Sequence, residues 1–393
     1  MAATRSMNPK ATTTWIDTMK VMVITLMTIM LMRDRQRIDI LVYVIAGSIG
    51  YFAFKGGLFS IATGGGYTVW GPPDSRIEEN NALGLATVMV LPLINYIRMH
   101  AKNKWVRRFL LFAMPVMFIS ALASQSRGAF LAIGMMSIFL WWKSKSKFAI
   151  GVGMIILVAG ALSVMPPEYF ERLETIQNYD EDQSAMSRIN VWLLAYRFAL
   201  DNPILGGGFD VLYLPSVWAQ YSADPNAVIH NAHSVYFELM AMQGFVGLGL
   251  FLMTCIVTFF SGNWVINRCK GREDLNWARD LSAMCQVSLI GFATGGAFLN
   301  LAFFDLFWHI VAIPIIVREI VKKEIAKSPE ELAAEAGGEY RAVSDAVPPV
   351  PEPVYGSSIA GREPQRRKSF LRSGGEKAEQ KNAGDGRRTF RRT

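Results

Sequence analysis

Cysteine, histidine and charge are all scarce in this chain, and each shortage narrows what it can be. Of three cysteines, Cys255 and Cys285 fall inside apolar runs and Cys269 in a basic connection, so none can staple a polar loop by a disulfide. Four histidines leave only the pair His230 and His233 close together. Asp224 or Glu238 would be arbitrary as further ligands, so no metal site is expected and no cofactor is implied. Thr63-Gly64-Gly65-Gly66 lacks the Gly-Lys-Ser/Thr ending of a phosphate loop and reads as a turn. The net charge of +8 comes with no basic fold or aromatic-interleaved patch, so nucleic acid is not an expected partner. No signal peptide can be placed, because Arg33 to Arg37 stands where a cleavage site would be needed.

What is abundant is apolar sequence. Hydrophobic residues make up 51% of 393 and charged ones 18%, and the apolar residues gather in blocks near the ~20-residue length that crosses a bilayer. The expectation is an all-α polytopic membrane protein with about nine spans at 18–32, 38–54, 82–98, 108–123, 128–142, 148–165, 243–262, 281–299 and 304–321. The first is short and carries Lys20; the alternative is a segment lying in the interface. Basic connections at Arg33 to Arg37, Arg98 to Arg108, Lys143 to Lys147 and Asn267 to Arg279 alternate correctly and belong on the cytoplasmic side. The long connections Lys55 to Asn81 and Pro166 to His233 then lie outside, as does the amino terminus. Membrane lipids are the surrounding partner, and the basic inner side suits an anionic leaflet.

The chain divides into a segment 1–17, membrane helices over 18–165, an outer loop 166–233, further membrane helices over 234–321 and a tail 322–393. The tail is rich in Ala, Glu, Pro, Gly, Lys and Arg and cannot bury enough apolar surface to fold alone. In the outer loop, Ser187 to Leu200 predicts an amphipathic helix with Ser187 as N-cap, ended by Asp201-Asn202-Pro203 and Gly206-Gly207-Gly208. It would lie on the membrane or the bundle. A second helix is expected at Glu168 to Ile176, and there is no internal repeat.

Arg127 follows Ser124-Gln125-Ser126 and opens an apolar helix at its outer end. A guanidinium there opposes the helix dipole unless an anion meets both, so Arg127 is a phosphate-binding candidate; the bland reading is a snorkelling interfacial arginine. Arg188 repeats the arrangement behind Ser187, its alternative being an exposed first-turn residue. His233-Ser234 opens a third helix, and imidazole can move protons near neutral pH. His230, three residues earlier, competes if that helix starts early. Lys55, Arg76, Arg172 and Glu238 are possible supporting groups, while His100 and His309 read as structural.

At these residues the chain resembles the O-antigen ligase superfamily of membrane glycosyltransferases, whose members carry a histidine, then Asn, Ser or Gln, nine residues and Gly-x-x-Gly. His233-Ser234, Val235 to Gln243 and Gly244-Phe245-Val246-Gly247 fit, which selects His233 over His230. Within it the chain looks like the O-glycosylation ligases associated with exosortase systems. The residues that carry this are Lys55-Gly56-Gly57-Leu58-Phe59, Val69-Trp70-Gly71-Pro72-Pro73, Asn80-Asn81-Ala82-Leu83, Ser126-Arg127-Gly128-Ala129, Ser184 to Asn190 and Leu205-Gly206-Gly207-Gly208-Phe209. The resemblance covers roughly 18–321. It implies a helical bundle in the bacterial inner membrane, with further upstream segments in relatives and hence a shortened amino terminus here. It also implies work without nucleotide sugar or metal, on an undecaprenyl-diphosphate-linked glycan, with a lipid, polysaccharide or protein acceptor on the periplasmic face. Arg127 and Arg188 would hold the diphosphate, and His233 would be the base. The rival activities are a polysaccharide polymerase with the same donor and a transporter of the lipid-linked glycan.

Overall fold

A computed structural model describes residues 9–143, 146–163, 183–222 and 228–327, all within one unit spanning Met1–Ser328. Among the described residues every regular element is helical. The order is α1 (Pro9–Leu31), α2 (Arg35–Ala62), α3 (Asn80–His100), α4 (Lys104–Ala123), α5 (Arg127–Lys143), α6 (Lys147–Leu162), α7 (Gln183–Asp201), α8 (Pro215–Tyr221), α9 (Val235–Arg268), α10 (Asn276–Gly295) and α11 (Asp305–Ala326). Two 3-10 turns, Val211–Tyr213 and Gly296–Phe298, interrupt the order.

Each of the nine expected spans falls on a helix, yet six helices are long and apolar enough to cross a membrane: α1 to α4, α9 and α10. The other three fail for identifiable reasons. Helices α5 and α6 have 17 and 16 residues, short of the ~20 that span hydrocarbon. Helix α11 carries Arg318, Glu319, Lys322, Lys323 and Glu324 in its last turns. The basic connections meet at one end of the bundle, where they find acids: Arg35 lies 3.4 Å from Asp39 and 5.4 Å from the Trp277 ring, and His100 lies 3.3 Å from Asp280. His309 bonds the Asp305 carbonyl through Nδ1.

The centre of the bundle is α3. Every residue from Ala82 to Ile94 is buried, as expected for a helix apolar on all sides, and α2, α4, α5 and α10 pack around it. Helix α2 runs to Ala62, so the first outer connection is 63–79, shorter than the 55–81 expected. Lys55 therefore sits on a helix, exposed, while its neighbours Gly56 and Gly57 face α4. A Cβ on Gly57 would stand 2.0 Å from the Val116 carbonyl, so this phrase brings two helices into backbone contact.

A second apolar core caps the outer end. It gathers Val191, Leu194, Ala195 and Phe198 of α7, Phe209, Val211 and Leu212, Val217 and Trp218 of α8, and Met240 to Met242 of α9, with Ala11 of α1. The opposite face of α7 leaves Ile189, Leu193, Tyr196 and Leu200 exposed, so the helix is apolar on that side as well. Because α7 begins at Gln183, Ser187 is in its second turn and is no N-cap. The helix expected at Glu168 to Ile176, Arg172 and the tail from Ser328 lie outside the described residues. Residues 322–326, expected in the tail, complete α11.

Candidate functional site

At the outer end of α4 the chain reverses in three residues and enters α5 at Arg127. Ser124 is fully buried, and its carbonyl accepts a 2.7 Å bond from the Asn80 amide. The Val69 amide bonds the neighbouring Ala123 carbonyl at 3.2 Å. Gln125 takes a left-handed conformation, φ 53°, and Ser126 then caps α5 by accepting from the Ala129 amide. Arg127 is thus the first residue of its helix, on a turn braced by the 63–79 connection and by the start of α3.

His233 lies on a second strained turn. Its φ is 44°, a conformation costly for a residue with a Cβ, and the Asn231 side chain accepts from its amide at 3.4 Å in a local turn. Trp192 of α7 donates to the Ala232 carbonyl at 2.7 Å and stacks on Phe237 with centroids 5.1 Å apart. Burial, then the Arg188 guanidinium and His230, hold the His233 imidazole below the usual histidine pKa. Around neutral pH the ring is therefore uncharged and able to accept a proton. Helix α9 starts at Val235 with Ser234 as N-cap, so His230 remains on the preceding loop, exposed.

Helix α9 is broken at Gly244, which takes φ 68° and ψ −173°. The carbonyls freed by the break are met by the glycine triplet: Gly207 donates to Ala241 and Gly208 to Met242, both at 2.9 Å, while Phe245 donates to Pro203 at 2.8 Å. Neither strand of this lock tolerates a side chain. A Cβ on Gly206 would lie 2.6 Å from the Ala241 oxygen, and one on Gly244 would lie 2.5 Å from the Pro203 oxygen. The kink divides the short helix behind His233 from the long membrane helix after it.

The Gly296–Phe298 turn joins these parts. A Cβ on Gly128 would sit 3.3 Å from Phe298 Cβ, and one on Gly296 would sit 3.3 Å from Val235 Cγ2, so Arg127 and His233 flank the same turn. Phe298 also meets Trp192, one helical turn beyond Arg188, with centroids 6.4 Å apart. The starts of α5 and α9 thus approach one turn, and Arg188 lies near enough to act electrostatically on the His233 ring. Arg188 arrives from the second turn of α7, not from a helix start as the sequence implied. Arg76 is 3.6 Å from Asp17 of α1, and Lys55 is on the exposed side of α2. Among the described residues no group of three or more His, Cys, Asp or Glu is placed to hold a metal ion.

Residues 112–252 match the O-antigen ligase family. The matched segment runs from α4 through the kink in α9, and so contains Arg127, Arg188, His233, the glycine triplet and Gly244. Residues 2–102, covering α1 to α3 with Lys55 and Arg76, match a family of unknown function (DUF5935). No curated protein matches the chain.

Sequence reasoning missed Asp210. It is 4% exposed, takes φ 57° and accepts a 2.7 Å bond from the Thr14 hydroxyl, tying α1 to the outer cap. Burial and the Glu238 and Asp210 carboxylates push the neighbouring Tyr213 phenol up, and a hydrogen bond links Tyr213 to the Asn231 side chain. Glu238 Oε2 and Ser234 Oγ are buried with no hydrogen-bond partner among the described residues. The available signal for Asp210 was its place two residues after the glycine triplet, next to the Leu205–Phe209 phrase.

Proposed function

We propose that this protein transfers a glycan from undecaprenyl diphosphate to a hydroxyl acceptor at the periplasmic face of the bacterial inner membrane. The proposed bundle has nine spans and is GT-C-like, with the protein placed among the ligases of exosortase-associated systems. One observation carries the reading. The segment matching the O-antigen ligase family contains Arg127, Arg188 and His233, and burial and then Arg188 hold the His233 imidazole below the usual histidine pKa, which supports its use as a base.

In this mechanism the acceptor hydroxyl oxygen attacks the anomeric carbon. The bond from that carbon to the diphosphate oxygen breaks, and its electron pair leaves with the diphosphate. Arg127 and Arg188 stabilise the charge growing there by charge-assisted hydrogen bonds. His233 takes the hydroxyl proton, a contribution worth roughly 10²- to 10⁴-fold in rate. Asn231 and the Trp192 bond to Ala232 fix the turn that aims the ring. Lys55, Arg76, Arg172, His230 and Glu238 keep supporting roles at most.

The test is reconstitution of the full chain with a lipid-linked glycan and candidate lipid, polysaccharide and protein acceptors, with products identified by mass spectrometry. A capped acceptor plus undecaprenyl diphosphate is the expected result. A lengthened lipid-linked chain would make the enzyme a polymerase, and movement of the intact lipid-linked glycan without bond exchange would refute transfer.

A further inference from the structure

Residues 2–102, the segment that matches a family of unknown function, touch the turns of Arg127 and His233 at two separate places. At the first, the Val69 amide bonds the Ala123 carbonyl at 3.2 Å and the Asn80 side-chain amide bonds the Ser124 carbonyl at 2.7 Å. The connection that supplies Val69 is stiff. Gly71 donates to the Glu78 carbonyl at 2.8 Å, the Asp74 amide to the Glu78 carboxylate at 3.1 Å, and the Ser75 hydroxyl to the Pro72 carbonyl at 2.7 Å. At the second, α1 enters the outer cap: Ala11 is fully buried in its core, and the Thr14 hydroxyl donates to the Asp210 carboxylate at 2.7 Å. From Asp210 the bonds continue to His233. The Tyr213 amide donates to the Asp210 carbonyl at 2.9 Å, the Tyr213 side chain is hydrogen-bonded to that of Asn231, and Asn231 accepts from the His233 amide at 3.4 Å. Asp210 and His233 both hold left-handed backbone, φ 57° and 44°, which persists only where the surroundings fix it. Arg76 and Asp17, 3.6 Å apart, also link the connection to α1, but both are exposed, so this pair carries little weight beside the buried bonds.

We propose that residues 2–102 are a positioning frame for the transfer site: Asn80 sets the turn of Arg127, and Thr14, through Asp210, Tyr213 and Asn231, sets the turn of His233. The inference rests on the roles given to Arg127 and His233 above, and it gives the segment of unknown function a task in the same reaction. Thr14, Asn80 and Tyr213 touch no reacting group and act through the two turns. Misplacing a reacting group by about 1 Å can cost about 10²-fold in rate, so short bonds far from the chemistry have leverage on it. The two braces differ in what they protect. A loose His233 turn withdraws the base from the acceptor hydroxyl and lowers kcat, whereas a loose Arg127 turn weakens the hold on the diphosphate and raises KM for the donor.

The test pairs kinetics with a readout that needs no turnover. Full-length protein with labelled histidine is titrated in detergent and the His233 ring followed by NMR; the chain has four histidines, and His233→Ala identifies the signal. Thr14→Val should move the His233 midpoint up toward the ordinary range near ~6.5, because the burial and the Arg188 charge that hold it down depend on where the turn puts the ring. It should also lower kcat by about ten- to a hundredfold with donor KM unchanged. Thr14→Ser keeps the hydroxyl and should match the wild type in both. Tyr213→Phe cuts the relay nearer to His233 without touching α1, and should move the midpoint the same way. Asn80→Ala should raise donor KM about tenfold and leave the His233 midpoint in place. A wild-type midpoint in both Thr14→Val and Tyr213→Phe would overturn the His233 brace, and a wild-type KM in Asn80→Ala would overturn the Arg127 brace. Activity falling only in step with the folded fraction, with midpoint and KM unmoved, would reduce these contacts to packing and overturn both. If the midpoint moves with Thr14 while His233→Ala still transfers glycan, the frame stands and the base role of His233 falls.

Discussion

Replacing Gly244 by alanine should unlatch the outer cap from the membrane bundle, and the structure sets the scale of the damage. Gly244 holds φ 68° and ψ −173°, a region that is essentially glycine-only, so any Cβ costs about 1–3 kcal/mol in backbone strain. That Cβ would stand 2.5 Å from the Pro203 oxygen, 2.8 Å from its carbonyl carbon and 2.9 Å from the Ile204 carbonyl carbon. All three are backbone atoms and cannot swing aside, so overpacking adds about 1–3 kcal/mol. Relief by separation would strand the Ala241 and Met242 carbonyls that Gly207 and Gly208 satisfy, at about 1 kcal/mol for each bond lost. A loss of about 4 kcal/mol follows, or roughly 10 °C in unfolding temperature at about 2–4 °C per kcal/mol. Gly249 is the control on the same helix, since a Cβ there meets nothing within 4 Å. Gly249→Ala should match or slightly exceed the wild type. The assay is thermal unfolding of the full chain in detergent, followed by tryptophan fluorescence. Equal midpoints for Gly244→Ala and Gly249→Ala would refute the lock between the glycine triplet and the kink.

The catalytic assignments have their own outcomes. His233→Ala should reduce transfer by roughly 10²- to 10⁴-fold while the protein still inserts and expresses, whereas His230→Ala should keep near-normal turnover in the same product assay. The His233 imidazole is held below the usual histidine pKa, chiefly by burial and then by Arg188. Its proton-accepting form therefore persists to lower pH, and kcat/KM should fall only below the ordinary range near ~6.5. Arg188→Gln removes a positive charge that disfavours the imidazolium, so the acid limb should move up in pH; a limb that stays put or moves down would refute the coupling. Because no step calls on a metal, transfer by purified protein should survive EDTA, and loss of activity restored by a divalent cation would sink the mechanism.

Much of the bundle was legible because long apolar runs between basic connections leave few alternatives in a bilayer. Helix α3 shows the limit of that signal: its pattern says membrane, but its burial from Ala82 to Ile94 depends on neighbours that hydropathy cannot name. In the candidate site, the position of Arg127 at the opening of α5 was readable because a helix start is a local feature. Ser187 was misread for the same reason. A serine before an apolar run resembles a cap, but α7 had already begun at Gln183. The glycine triplet, Asp210 and the Gly244 kink were beyond local reading because their role is mutual: the triplet satisfies carbonyls that exist only once α9 has broken. His233 was separated from His230 by a motif spacing. The structure adds a physical distinction, since one ring is partly buried beside Arg188 on a strained turn and the other is exposed on a loop.

Arg188 gives the site an ordering property that neither arginine nor histidine has alone. Its charge disfavours the imidazolium, which helps keep His233 uncharged but also makes it a weaker base. A diphosphate bound against Arg188 brings opposite charge into a partly desolvated rim, where Coulomb terms are stronger than in bulk water. That charge cancels much of the guanidinium's effect on the ring and raises its proton affinity at the moment the donor is in place. The base is then strongest when there is a glycan to transfer and weaker when there is none. On this argument two arginines serve two ends. In the proposed mechanism Arg127, at a helix start, would anchor the diphosphate, and Arg188, beside the imidazole, would couple donor binding to the readiness of His233.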